Sequence, residues 1–242
     1  MSFITQNDGQ FPYFNRQLGQ PIWRGKKVLD FGGNIGNVLH HPNSTIEHEN
    51  YWCIDVSRDA IAAGRKAAPN AHFLFYDRYN PEYNPLGIKA LSLPLTEAAF
   101  DFILALSVFT HTSKTEMVDF VYQLRRLLNH DGRLAFTFLD PHYTPAESNV
   151  CNLKYYCEQR LDPRSVPAFF DRPEPLNDVE WCTLAAGALH INGDSPTFSD
   201  ERENEYLVFY TPQYFKTIFP EATILDPVSP FDRQHCCVLT YA

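Results

Sequence analysis

The stretch from Lys26 to Leu39, reading K-K-V-L-D-F-G-G-N-I-G-N-V-L, constrains this chain more than any other. Val28, Leu29 and Phe31 form a short apolar run of strand formers that ends at Asp30-Phe31-Gly32-Gly33. Ile35, Val38 and Leu39 follow at helical spacing, so the pattern predicts a strand turning through glycine directly into a helix. Open α/β sheets build ligand sites at such turns, at the carboxyl ends of their strands. Glycine serves there because it accepts positive φ and lets a ligand approach the backbone. A phosphate loop is excluded, since no lysine follows Gly36 and the glycine spacing is wrong. The dinucleotide pattern G-x-G-x-x-G fails as well, because Gly32, Gly33 and Gly36 do not fit it.

The same strand-then-polar-residue pattern recurs downstream. Tyr51-Trp52-Cys53-Ile54 reads as a second buried strand ending at Asp55, 25 positions beyond Asp30. A carboxylate there is placed to bind both hydroxyls of a ribose. Asp55-Val56-Ser57 leads into a helix over Arg58 to Ala68, stopped by Pro69. His72 to Tyr76 is the third strand, closed by Asp77, and a turn-rich loop with two Asn-Pro pairs follows. Its Arg78, Tyr79 and Tyr83 either wall a ligand or pin a surface loop. Phe100 to Ser107 is the fourth strand, a helix runs from about Lys114 to His130-Asp131-Gly132, and Arg133 to Leu139 is the fifth strand.

Together these segments resemble the class I S-adenosylmethionine-dependent methyltransferases of the small-molecule type (types 11 and 12). Asp30, Gly32 and Gly36 are in register with D-x-G-x-G-x-G. F-D-x-I at 100–103 with S-V-F-T-H at 107–111, and L-R-R-L-L-N-H-D-G-R-L at 124–134, match later motifs. The [DNS]-P-P-[FYW] motif of amino-group methyltransferases acting on bases or glutamine is absent. One departure is Asn34 at the family's middle glycine. Asn enters the left-handed region at least cost among non-glycine residues, so positive φ is expected at Asn34.

The resemblance implies a Rossmann-like three-layer α/β sandwich: a mostly parallel seven-stranded sheet with an antiparallel final hairpin and an inserted lid. It implies one domain of four parts: an N-terminal arm (1–24), a cofactor-binding core (25–140), a substrate lid (141–205), and a C-terminal helix with edge hairpin (206–242). The arm either folds over the ligand or packs on the sheet. The implied cofactor is S-adenosyl-L-methionine, with S-adenosyl-L-homocysteine as product. Its expected contacts are Asp30, Gly32, Gly33, Asn34, Gly36, Asp55, Val56, Asp77, Arg78, Leu106 and Ser107, with Asp77 on the adenine amino group. Methyl transfer mainly needs in-line alignment and exclusion of water. Where a base is needed, histidine suits neutral pH. His111, His142 and His190 are the candidates. No pair of these histidines has ligand spacing with a carboxylate, so no metal is expected.

Composition narrows the partners. The net charge of −9 and pI near 5.4 disfavour nucleic acids, which bind clustered Lys and Arg. No apolar run approaches the roughly 18 residues of a membrane helix. The N-terminus lacks a signal-peptide pattern. The six cysteines include no C-x-x-C pair, which points to a reducing, cytoplasmic compartment. The expected partner is a small-molecule acceptor methylated on oxygen, nitrogen or carbon, with monomer and homodimer both open. Two other readings stand beside this one: a protein that binds the cofactor without transferring its methyl group, and a nicotinamide-dependent oxidoreductase.

Overall fold

The computed structural model describes residues 9–80, 83–95, 100–112, 114–140, 210–228 and 232–241, with the backbone of four short strands between 184 and 207. Seven strands make one sheet: β1 (Val28–Phe31), β2 (Tyr51–Asp55), β3 (His72–Phe75), β4 (Phe100–Ala105), β5 (Leu128–Phe138), β6 (Thr223–Leu225) and β7 (His235–Thr240). Their order is β6-β7-β5-β4-β1-β2-β3. β1 pairs parallel with both β2 and β4. β7 runs antiparallel to β5 and β6, the edge hairpin expected from the sequence. The chain steps outward from β1 to β3, then returns to the other side of β1 as β4. That reversal opens a crevice at the carboxyl ends of β1 and β4.

Alternation along the strands divides the core. Leu29, Phe31, Ile54, Ile103, Phe136 and Phe138 face α3 (Lys114–Arg125) and α4 (Pro212–Ile218), meeting Met117, Phe120, Leu124 and Phe215. Val28, Tyr51, Cys53, Phe73, Phe102 and Cys236 face the opposite layer, which holds α1 (Gln10–Gln17) and α2 (Arg58–Ala67). Side-chain oxygens cap two helix starts: Ser57 accepts from the Ala60 N–H, and Thr211 from the Tyr214 N–H ahead of Pro212.

The helix expected directly after β1 does not form. Residues 34–40 make successive turns, with Asn34 at φ 56° and Gly36 at φ 90°. A right-handed helix cannot hold two left-handed residues two positions apart. Val38 and Leu39 still bury, so turns satisfy the apolar spacing that suggested a helix. The leader supplies a helix to this layer instead. Phe11, Tyr13 and Phe14 of α1 are buried, and the Tyr13 hydroxyl donates to the Gln234 carbonyl at 3.0 Å. Arg16 pairs with Asp232 at 3.1 Å, and Gln17 Nε2 donates to the Asp226 carbonyl at 3.0 Å.

A second correction concerns α3, which ends at Arg125 rather than near His130. Leu128 already pairs with Phe100, and the Phe100 N–H takes the Leu127 carbonyl at 2.9 Å. The sheet therefore claims residues whose spacing also fits a helix. The expected lid, 141–205, lies outside the described residues apart from strand backbone at Leu184–Ala185, Leu189–Asn192 and Ser195–Phe198. No helix among the described residues is long and apolar enough to cross a membrane.

The Phe73 ring is clamped between two glycines. A Cβ on Gly64 in α2 would lie 2.3 Å from it, and one on Gly36 would lie 3.0 Å from it. Alanine normally gains about 1 kcal/mol over glycine inside a helix. Here Gly64→Ala is expected to cost about 1–3 kcal/mol net through overpacking, read as a lower urea midpoint with unchanged slope.

Candidate active site

A cavity of about 460 Å³ opens at the crevice. Phe31, Gly32, Asn34 and Ile35 come from the end of β1 and its turn. Ile54 to Ser57 come from the end of β2, and Leu106 to Val108 from the end of β4. His111 and Thr112 follow β4, Glu116 and Phe120 come from α3, and Gln10 from α1. Tyr76, Arg78, Tyr79, Asn80 and Tyr83 bring in the loop after β3.

The β1 turn is built for close packing. Gly32 has φ 72°, and a Cβ there would lie 2.4 Å from Val108 Cγ2. Asn34 takes the left-handed conformation expected of it, which sends its N–H to Asp55 Oδ2 at 2.8 Å. Asp55 Oδ1 accepts from the Ser57 N–H at 2.7 Å. Burial raises the Asp55 pKa, while the amides of Ser57, Asn34 and Val56 oppose the rise. The carboxylate still keeps a lone pair for a ligand hydroxyl.

Ser107 is also left-handed, at φ 56°. Its N–H donates to Thr137 Oγ1 at 2.8 Å, and its carbonyl accepts from Thr110 Oγ1 at 2.9 Å. Non-glycine residues held this way cost on the order of 1–3 kcal/mol and cluster at functional sites. Among the described residues Arg78 is the one guanidinium in the wall, and it is already engaged. It meets Glu116 at 3.3 Å and the Leu91 carbonyl at 2.7 Å, and it stacks over Phe120. With Asp55 and Asp59 also present, the described wall is acidic.

Of the residues singled out from sequence, Gly32, Asn34, Asp55, Val56, Arg78, Leu106, Ser107 and His111 line the cavity. Asp30, Gly33, Gly36 and Asp77 do not. Asp30 is buried behind the turn, where the Tyr51 hydroxyl donates to it at 2.5 Å and a Cβ on Gly33 would strike its carboxyl. Asp77 turns to Asn84, whose Nδ2 donates to Asp77 Oδ1 at 3.1 Å and also to the Arg78 carbonyl. His142 lies outside the described residues. His190 is described only in backbone, paired with Thr197. Sequence reasoning missed Gln10, Glu116 and Phe120. The last two share a helix face four residues apart, a signal that was present, whereas Gln10 carried none. Among the described residues no group of three or more His, Cys, Asp or Glu could hold a metal ion. Cys53, Cys236 and Cys237 are buried free thiols.

Residues 29–134 match the family model of a methyltransferase domain. A protein from Pyrococcus horikoshii shares the fold with a TM-score of 0.55 at 15% identity, over 95% of this chain and 88% of its own. An S-adenosylmethionine-dependent methyltransferase from Clostridium acetobutylicum aligns with a TM-score of 0.53 at 11% identity, over 96% and 92%. A TehB-like S-adenosylmethionine-dependent methyltransferase from Corynebacterium glutamicum aligns with a TM-score of 0.39 at 19% identity, over 51% of this chain and 60% of its own length. The match over 29–134 and the shared fold together support a class I S-adenosylmethionine-dependent methyltransferase family for this domain.

Two outcomes follow from this geometry. Burial lifts the Asp30 carboxyl from 3.8 to about 7, against the Tyr51 hydrogen bond and with help from the Asp55 charge. The protonated form is therefore favoured in the fold. Its stability contribution is full below about pH 4 and is lost as pH rises through about 7. Asp30→Asn does not titrate, so from pH 4 to 8 wild type should lose on the order of 2–4 kcal/mol relative to the variant in urea unfolding. At Asn34, Asn34→Gly should bind S-adenosylhomocysteine like wild type in calorimetry. Asn34→Val should bind at least tenfold more weakly, because a β-branched residue resists positive φ.

Proposed function

We propose that the cavity binds S-adenosylmethionine and that the protein transfers its methyl group to a small-molecule acceptor on oxygen, nitrogen or carbon. The observation that carries this reading is Asp55, held by the Asn34 and Ser57 amides beside the glycine turn. That arrangement offers paired acceptors to a ribose next to a turn that admits close approach. The acidic wall adds support: it suits a sulfonium and an ammonium, and it disfavours the pyrophosphate of a nicotinamide dinucleotide.

In this reading the protein contributes alignment and exclusion of water. The sulfonium supplies the activated methyl group. Val56 and Val108 give the cavity apolar surface, and Tyr79 and Tyr83 extend its wall from the loop after β3. His111 lines the same cavity and is the candidate to take a proton from an oxygen or nitrogen acceptor. We assign 1–242 to one domain and place 141–205 on the acceptor side. The support is that Asp140 and Tyr210, which flank this stretch, both stand at the carboxyl end of β5, where the Tyr210 N–H donates to the Leu139 carbonyl at 2.8 Å.

The test is calorimetric titration with S-adenosylmethionine, S-adenosylhomocysteine and NAD, paired with Asp55→Ala. The first two should bind and NAD should not. Asp55→Ala should weaken binding by about 1.5–3 kcal/mol, the worth of hydrogen bonds to a charged group. Equal affinity in variant and wild type would remove Asp55 from the site. Methyl release in the presence of candidate acceptors then separates transfer from binding alone.

A further inference from the structure

We propose that Gln234 is a positioning residue for the cofactor site, acting through Ser107 and itself fixed by Tyr13 of α1. This rests on the cavity being the S-adenosylmethionine site. Gln234 stands just before β7, is 3% exposed, and donates from Nε2 to Ser107 Oγ at 2.7 Å. The two residues are 127 positions apart in sequence. The bond survives a flip of the amide, since a hydroxyl both donates and accepts.

Ser107 is where this matters. It is left-handed without being glycine, so its conformation must be imposed by its surroundings. Thr137 holds its N–H, and Gln234 holds its hydroxyl. The turn at Ser107 aims Val108 at Gly32 and starts the short 3-10 turn that carries His111 into the cavity wall. If Ser107 relaxed to ordinary φ, Val108 and His111 would move together. The other end of the Gln234 amide, Oε1, is buried without a partner among the described residues. A buried unsatisfied acceptor is destabilising, so stability alone does not account for glutamine here. Gln234 is fixed in turn from α1, since its carbonyl accepts from the Tyr13 hydroxyl at 3.0 Å. Gln10, at the start of the same helix, lines the cavity. α1 therefore reaches the site twice, directly and through Gln234.

The experiment is a double-mutant cycle read by calorimetric titration with S-adenosylhomocysteine. Gln234→Met keeps the side-chain volume and removes the hydrogen bond. It should weaken binding about three- to tenfold in the wild-type background and change nothing further in a Ser107→Ala background. A merely structural role would weaken binding equally in both backgrounds, and that result overturns the proposal. Tyr13→Phe is the second variant should Gln234→Met not fold. It should cost about threefold in the wild-type background and nothing in Ser107→Ala. Wild-type protein that fails to bind S-adenosylhomocysteine refutes the functional reading itself. Wild-type binding with undiminished affinity in both variants leaves that reading standing and removes Gln234 from the mechanism.

Discussion

Asp55 ties together the pieces from which the site is made. One oxygen takes the amide of Asn34 and so fixes the turn after β1, and the other takes the amide of Ser57 at the head of α2. Ser57 also caps α2 through its hydroxyl, so strand end, turn and helix start share one carboxylate. The Asn34 amide reaches it only because that residue is left-handed. Behind the turn, the Asp55 charge helps raise the pKa of Asp30, which Tyr51 engages from the neighbouring strand. Two carboxylates this close in a buried site are easier to hold when one keeps its proton. The turn thus has an amide-bound carboxylate toward the cavity and, beneath it, a second one that burial makes easier to protonate.

Much of this was legible in the sequence where short-range rules apply. Strand ends followed from β-branched and aromatic runs closed by Asp or Gly, and the left-handed Asn34 followed from its place among glycines. Contacts decided elsewhere were not legible. Phe11-Pro12-Tyr13-Phe14 has only weak periodicity, yet it forms a helix whose partners at Asp226, Asp232 and Gln234 lie 209–221 residues away. Ile35, Val38 and Leu39 mimic a helix because turns can bury two of the three. Asp77 has the place of a ligand-facing strand-end carboxylate, but Asn84 in the enlarged loop takes its side chain. The loop is pinned further by Tyr79 and Ile88, whose N–H groups donate to the Ile88 and Asp77 carbonyls. Local pattern gives the strand's end; which group then meets its carboxylate depends on a loop whose closure no periodicity encodes.

The contacts between α1 and residues 226–234 also bear on how the protein is made. Because they join segments more than 200 residues apart, they cannot form until residues 226–234 have emerged from the ribosome. β1 to β4 and the turn that carries Asp55 depend on nearer neighbours and are free to assemble earlier. Contacts of such long separation close slowly, since the chain entropy they cost is recovered only at the end. During synthesis the half of the site around Asp55 thus has its partners first, while Ser107 waits for Gln234, so the two sides of one cavity mature at different times.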